Sequence, residues 1–73
     1  MNKSMAELVL EELRTDTKQA LGASSEMLER VIGQRNYNDL YIIGADFTFI
    51  YSDHSQLCFN HSELYGWDVK TLP

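Results

Sequence analysis

The run Leu40-Tyr41-Ile42-Ile43-Gly44-Ala45-Asp46-Phe47-Thr48-Phe49-Ile50-Tyr51 constrains this chain more than any other stretch. It is the densest set of β-branched and aromatic residues, and a small, turn-capable break divides it. Two strand-like runs around such a break read as a β-hairpin. Alternation agrees: Phe47, Phe49 and Tyr51 share one face, and Thr48, Ile50 and Ser52 share the other. Both faces are partly apolar and an isolated hairpin is marginal in water, so the remaining residues must cover and extend it.

Before the hairpin the spacing predicts two helices. The first is expected over about 4–21. Ser4 and Glu7 form a capping-box pattern, Ala6, Val9, Leu10, Leu13, Thr17, Ala20 and Leu21 recur at helical spacing, and Gly22 supplies a stop. The second is expected over about 24–33. Ser24 or Ser25 serves as cap, Met27, Leu28, Val31 and Ile32 form the apolar face, Glu26 and Arg30 form an i,i+4 pair, and Gly33 is the end. The short link between them makes an antiparallel or strongly angled helix pair the expectation.

After the hairpin, Ser52-Asp53-His54-Ser55 is turn chemistry, and Gln56 to Asn60 reads as a third strand. The expected architecture is one α+β domain over 1–73, with two N-terminal helices packed on a three-stranded antiparallel meander. Its strands lie at about 40–44, 47–52 and 56–60, with a short C-terminal extension. Ser62-Glu63-Leu64-Tyr65 is read as the start of a helical turn, broken by Gly66. Trp67-Asp68-Val69 is read as a further strand or a pinned extension.

With 73 residues the chain holds one small domain of modest stability, the kind that gains by docking on a partner or a copy of itself. The formal net charge is −5. The acids are spread along the chain, six against four bases in residues 1–33 and five against two in residues 34–73. That balance argues against nucleic acid or an anionic membrane and leaves a basic protein as the complementary partner. Cys58 is the only cysteine, so no internal disulfide forms. Without a signal-peptide pattern or a long apolar run, the chain reads as a cytoplasmic protein.

Chemistry-bearing residues are sparse. His54, Cys58 and His61 give a His-x3-Cys-x2-His spacing with three metal-ligand types, and Asp53 or Glu63 could join them. The spacing lacks the paired arms of zinc sites, and on a strand His61 falls on the face opposite His54 and Cys58. Cys58 with either histidine has no third group to orient the base. Gly22, Gly33, Gly44 and Gly66 are isolated breaks rather than a phosphate loop. No cofactor-binding pattern is present.

Aromatic surface remains. Tyr37, Tyr41, Tyr65 and Trp67 are the residues expected to stand half exposed, rimmed by acids, as anchors for a protein partner. The expected function is therefore a small acidic protein-binding module without catalysis, of the inhibitor, immunity or accessory-regulator kind. A metal-binding or sensory module using His54, Cys58 and His61, and a homo-oligomeric structural protein, are the alternatives.

Residues 41–69 also carry a run of features: Ile42-Ile43, Asp46, Ile50-Tyr51-Ser52-Asp53, then Ser62-Glu63-Leu64-Tyr65-Gly66-Trp67-Asp68-Val69. In that order they resemble the opening of a PAS sensory domain. The resemblance implies a sensory role and puts a helix, not a strand, over His54 to Asn60.

Overall fold

A computed structural model describes residues 2–73; Met1, the first residue of the expected domain, lies outside them. Two helices, α1 (Met5–Asp16) and α2 (Ser25–Gln34), precede four strands: β1 (Asp39–Ile43), β2 (Asp46–Ile50), β3 (Gln56–Ser62) and β4 (Gly66–Leu72). The strands form one antiparallel sheet in the order β1-β2-β3-β4. The α+β class and the meander are as expected, with a fourth strand in place of the expected extension.

Helix α1 begins where its sequence says it should. The Ser4 hydroxyl accepts the Glu7 N–H at 3.2 Å, and the Glu7 carboxylate accepts the Ser4 N–H at 3.1 Å, closing the capping box. These two bonds hold the Glu7 carboxyl below its usual pKa. The helix stops at Asp16, well short of Gly22. Thr17 is its C-cap and Lys18 turns left-handed at φ 57, so Ala20 and Leu21 leave the helical face and stand exposed. Helix α2 takes Ser24 as its cap, and Ser24 Oγ accepts the Met27 N–H at 3.4 Å. Gly33 lies inside it, and the left-handed cap is Arg35 at φ 54. Glu26 and Arg30 pair at 3.6 Å as the spacing predicts.

The β1–β2 connection is the two-residue turn Gly44-Ala45, with Ile43 opposite Asp46. Gly44 has φ 59, a conformation that costs glycine little, and glycine first in the turn is the preference of a type II′ hairpin. The β2–β3 connection is tighter in its bonding. His54 N–H donates to Tyr51 O at 2.9 Å and Tyr51 N–H to Ser55 O at 3.0 Å, with His54 in the left-handed region at φ 70. Beyond it, Gln56–Ser62 is extended and pairs on both sides, so the helix implied by the PAS resemblance does not form. Residues 63–65 are a turn rather than a helix start, and the chain from Gly66 onward pairs along β3.

Period-2 alternation puts Leu40, Ile42, Phe47, Phe49, Leu57, Phe59, Trp67 and Val69 on the face toward the helices. Against them pack Ala6, Val9, Leu10 and Leu13 of α1 and Met27, Leu28 and Val31 of α2. Phe49 is central: Tyr37 meets it edge-on at 5.0 Å and Phe59 at 6.0 Å. Phe49, Leu57 and Phe59 are buried, and each contributes roughly 1.5–3 kcal/mol of transfer free energy. Among the described residues, the opposite face carries no helix. On it lie Tyr41, Ile43, Asp46, Thr48, Ile50, Cys58, Asn60, Asp68 and Lys70.

A candidate protein-contact surface at the far end of the sheet

The two ends of the sheet differ. At one end the β2–β3 turn is bonded to the start of α1. Asp53 Oδ2 accepts the Met5 N–H at 2.9 Å, and Ser55 Oγ accepts the Ala6 N–H at 3.0 Å. Asp53 Oδ1 in turn accepts the Ser55 N–H at 3.0 Å and the Ser55 hydroxyl at 2.5 Å. The Asp53 carboxylate and the Ser55 hydroxyl thus each satisfy one amide that a helix N-terminus leaves orphaned, and the bonds to the carboxylate, that from Met5 foremost, hold Asp53 below its usual pKa. This end is a structural joint.

The other end holds the β1–β2 turn and the β3–β4 turn together. Ile43 is 76% exposed, Leu64 85% and Tyr65 88%. On the helix side just behind them, Trp67 is half-buried and packs against Phe47 at 6.2 Å and against His61 at 4.9 Å, and Ile42, the partner of Phe47 on β1, is exposed. Register brings these residues to one end because Ile43, Asp46, Asn60 and Asp68 lie in one cross-strand row, and the β3–β4 hairpin runs two further pairs, His61–Trp67 and Ser62–Gly66, past it before turning at residues 63–65. The nearby charges are acidic: Asp46, Glu63 and Asp68. The Asn60 side-chain amide donates to Asp46 across the strands.

Of the four expected anchors, Tyr65 stands at this tip and Trp67 directly behind it. Tyr41 is exposed on the open face of β1. Tyr37 is drawn into the core by its contact with Phe49, and is only half-buried there. The sequence also marks Ile43, with Tyr41, Thr48 and Ile50, as a candidate contact residue on the hairpin's second face, but it does not mark Leu64. The available signal was the strand alternation of Trp67, Val69 and Thr71 against Asp68, Lys70 and Leu72, which makes residues 63–65 a hairpin turn.

The expected ligand trio is not brought together. His54 sits in the β2–β3 turn, and His61 lies near the other end of β3, about 20 Å along an extended strand. His61 lies on the helix side against Trp67, whereas Cys58 lies on the open face opposite Thr48 and Lys70. Among the described residues, no three of His, Cys, Asp or Glu are grouped as a metal would need. The open face itself has a shallow depression of ≈ 370 Å³ lined by Asp46, Thr48, Cys58, Asn60, Asp68 and Lys70 among others. Among the described residues, no helix is long and apolar enough to cross a membrane.

Comparison with protein-family models, with curated proteins and with solved structures finds no match to this chain.

Proposed function

We propose that this protein is a non-catalytic binding module that docks on another protein through the far end of its sheet. The observation that carries this reading is the exposure of Leu64 and Tyr65 in the β3–β4 turn, with Ile43 at the same end of the sheet, each more than three-quarters exposed, and the Trp67–Phe47 pair behind the turn. Large apolar side chains gathered at one end, backed by aromatics and rimmed by charge, are the anatomy of a contact surface. The tyrosine and tryptophan supply rigid contact area at small entropic cost. The acidic rim selects a basic partner by complementarity, which also speeds encounter. Such a module acts by occupying a partner's surface, as an inhibitor or an accessory regulator does. The separation of Cys58 from both histidines supports a role without nucleophilic chemistry.

The test compares the wild-type protein with a Leu64→Ser/Tyr65→Ser variant as baits. Both positions are in an exposed turn, so the variant keeps its fold by circular dichroism. A partner retained by the wild type, released by salt and absent from the variant is the expected result. Identical capture by both baits would sink the proposal.

A further inference from the structure

Among the described residues, the strand β1 is an edge of the sheet with only β2 as neighbour. Its two-residue turn makes Ile43 and Asp46 a hydrogen-bonded pair, and alternation extends this to Tyr41–Thr48 and Asp39–Ile50. The main-chain groups of Leu40 and Ile42 therefore point away from β2. Among the described residues they have no other main-chain partner. The strand is apolar from Leu40 to Ile43, and Tyr41 and Ile42 are 55% and 57% exposed. The opposite edge, β4, is blunted by Asp68 and Lys70 and is followed by Pro73, whereas β1 has only Asp39 at its start.

We infer that β1 pairs antiparallel with β1 of a second copy, about a two-fold axis at Tyr41, to give a continuous eight-stranded sheet. The register follows from the outward-facing groups. Leu40 bonds to the copy's Ile42, Ile42 to the copy's Leu40, and the two Tyr41 side chains meet on the axis. On the helix side this produces one apolar row, Phe47–Ile42 of one copy continuing into Leu40–Phe49 of the other, so the core extends across the seam. On the open face each Asp39 lies opposite the copy's Ile43, not opposite another acid. The nearest like charge, the copy's Asp46, is two strands away at about 10 Å, a full screening length in ordinary salt. Pairing uses up the exposed edges that attract a strand, so assembly closes at two.

The contact is small. Tyr41, Ile42 and the free main chain offer on the order of 400 Å² per copy against the ~800 Å² of a standard interface, so the dimer is weak and concentration-dependent. Each copy carries a net charge of −5, so added salt tightens it, the opposite of what salt does to a complex with a basic partner. Ile43 belongs to both surfaces, so the two readings are told apart by their variants: Leu64→Ser/Tyr65→Ser touches only the tip, and Ile42→Lys and Tyr41→Asp touch only the edge.

Analytical ultracentrifugation of the full chain from about 10 μM to about 1 mM tests this, at about 50 mM and about 500 mM NaCl. A monomer–dimer equilibrium that shifts toward dimer at high salt is expected. Ile42→Lys and, independently, Tyr41→Asp should each weaken it by about tenfold or more while leaving the circular dichroism spectrum unchanged. Both side chains are exposed in the monomer, so neither variant should unfold it. A monomer across the whole range, a dimer indifferent to both substitutions, or assembly beyond two copies would each overturn the inference.

Discussion

Asp53 and Met5 are 48 residues apart in sequence, and the Asp53 carboxylate accepts the Met5 main-chain N–H at 2.9 Å. A turn between two strands thus helps cap a helix that begins the chain. The Ser4–Glu7 box satisfies other amides of the same terminus, so α1 is held both from within and from across the fold.

This joint gives the stability a pH dependence of definite sign. Asp53 and Glu7 both have folded pKa values below the ordinary 3.8 and 4.5. A lowered carboxyl contributes stability that is fully present above its unfolded pKa and is lost as pH falls through the folded one. Thermal melts from pH 6 to pH 3 should therefore show falling stability below about pH 5, and Asp53→Asn should flatten that fall. In the variant at neutral pH, hydrogen exchange should quicken at the Met5 amide, the bond to Asp53 having been weakened.

His54 occupies a position that suits glycine. At φ 70 its Cβ crowds the backbone, a conformation that costs an ordinary residue roughly 1–2 kcal/mol, although histidine visits it more readily than most. His54→Gly is expected to stabilise the protein by about 0.5–1 kcal/mol after the greater chain entropy of the unfolded glycine is offset, raising the melting temperature by several degrees. Gly44→Ala, at φ 59, should move stability by a similar amount in the opposite direction. Chemical denaturation of the two variants side by side checks the pair.

Tyr51 is buried in the core, and among the described residues its hydroxyl has no hydrogen-bond partner. Burial, with a smaller effect of Tyr37, pushes its phenol up to about 12 from 10.0. The folded state thus keeps a proton that the unfolded chain releases, so stability is unaffected below about pH 10 and falls between about pH 10 and pH 12. Tyr51→Phe removes the orphaned hydroxyl while keeping the ring. It should raise stability at neutral pH by about 1 kcal/mol and shrink the alkaline loss, both read by urea titration.

Much of this fold is legible in the residues, and the failures have physical causes. Ser4 and Glu7 mark the start of α1 because a capping box is a local device, complete within four residues. The end of α1 has no such device. Thr17, Ala20 and Leu21 continue the apolar spacing, and nothing nearby announces that Lys18 will turn left-handed. Strand β4 was readable from the alternation of Trp67, Val69 and Thr71, but Ser62 to Tyr65 looks helical when taken alone. Tyr65 and Trp67 stood out as anchors because of their type. Leu64, and the place of Ile43 at the same end of the sheet, became visible only with the register, which is a long-range property. The joint of Asp53 with Met5 was invisible for the same reason.

That joint also orders events in time. The β2–β3 turn closes on bonds within five residues, Tyr51 to Ser55, whereas Met5 and Ala6 must wait for a span of nearly fifty residues to be brought back. The beginning of the chain is therefore expected to be secured after its middle. Weakening the joint by Asp53→Asn should leave the refolding rate almost unchanged and appear instead as faster unfolding in stopped-flow measurements, whereas an equal slowing of refolding would show that the helix docks before the rate-limiting barrier.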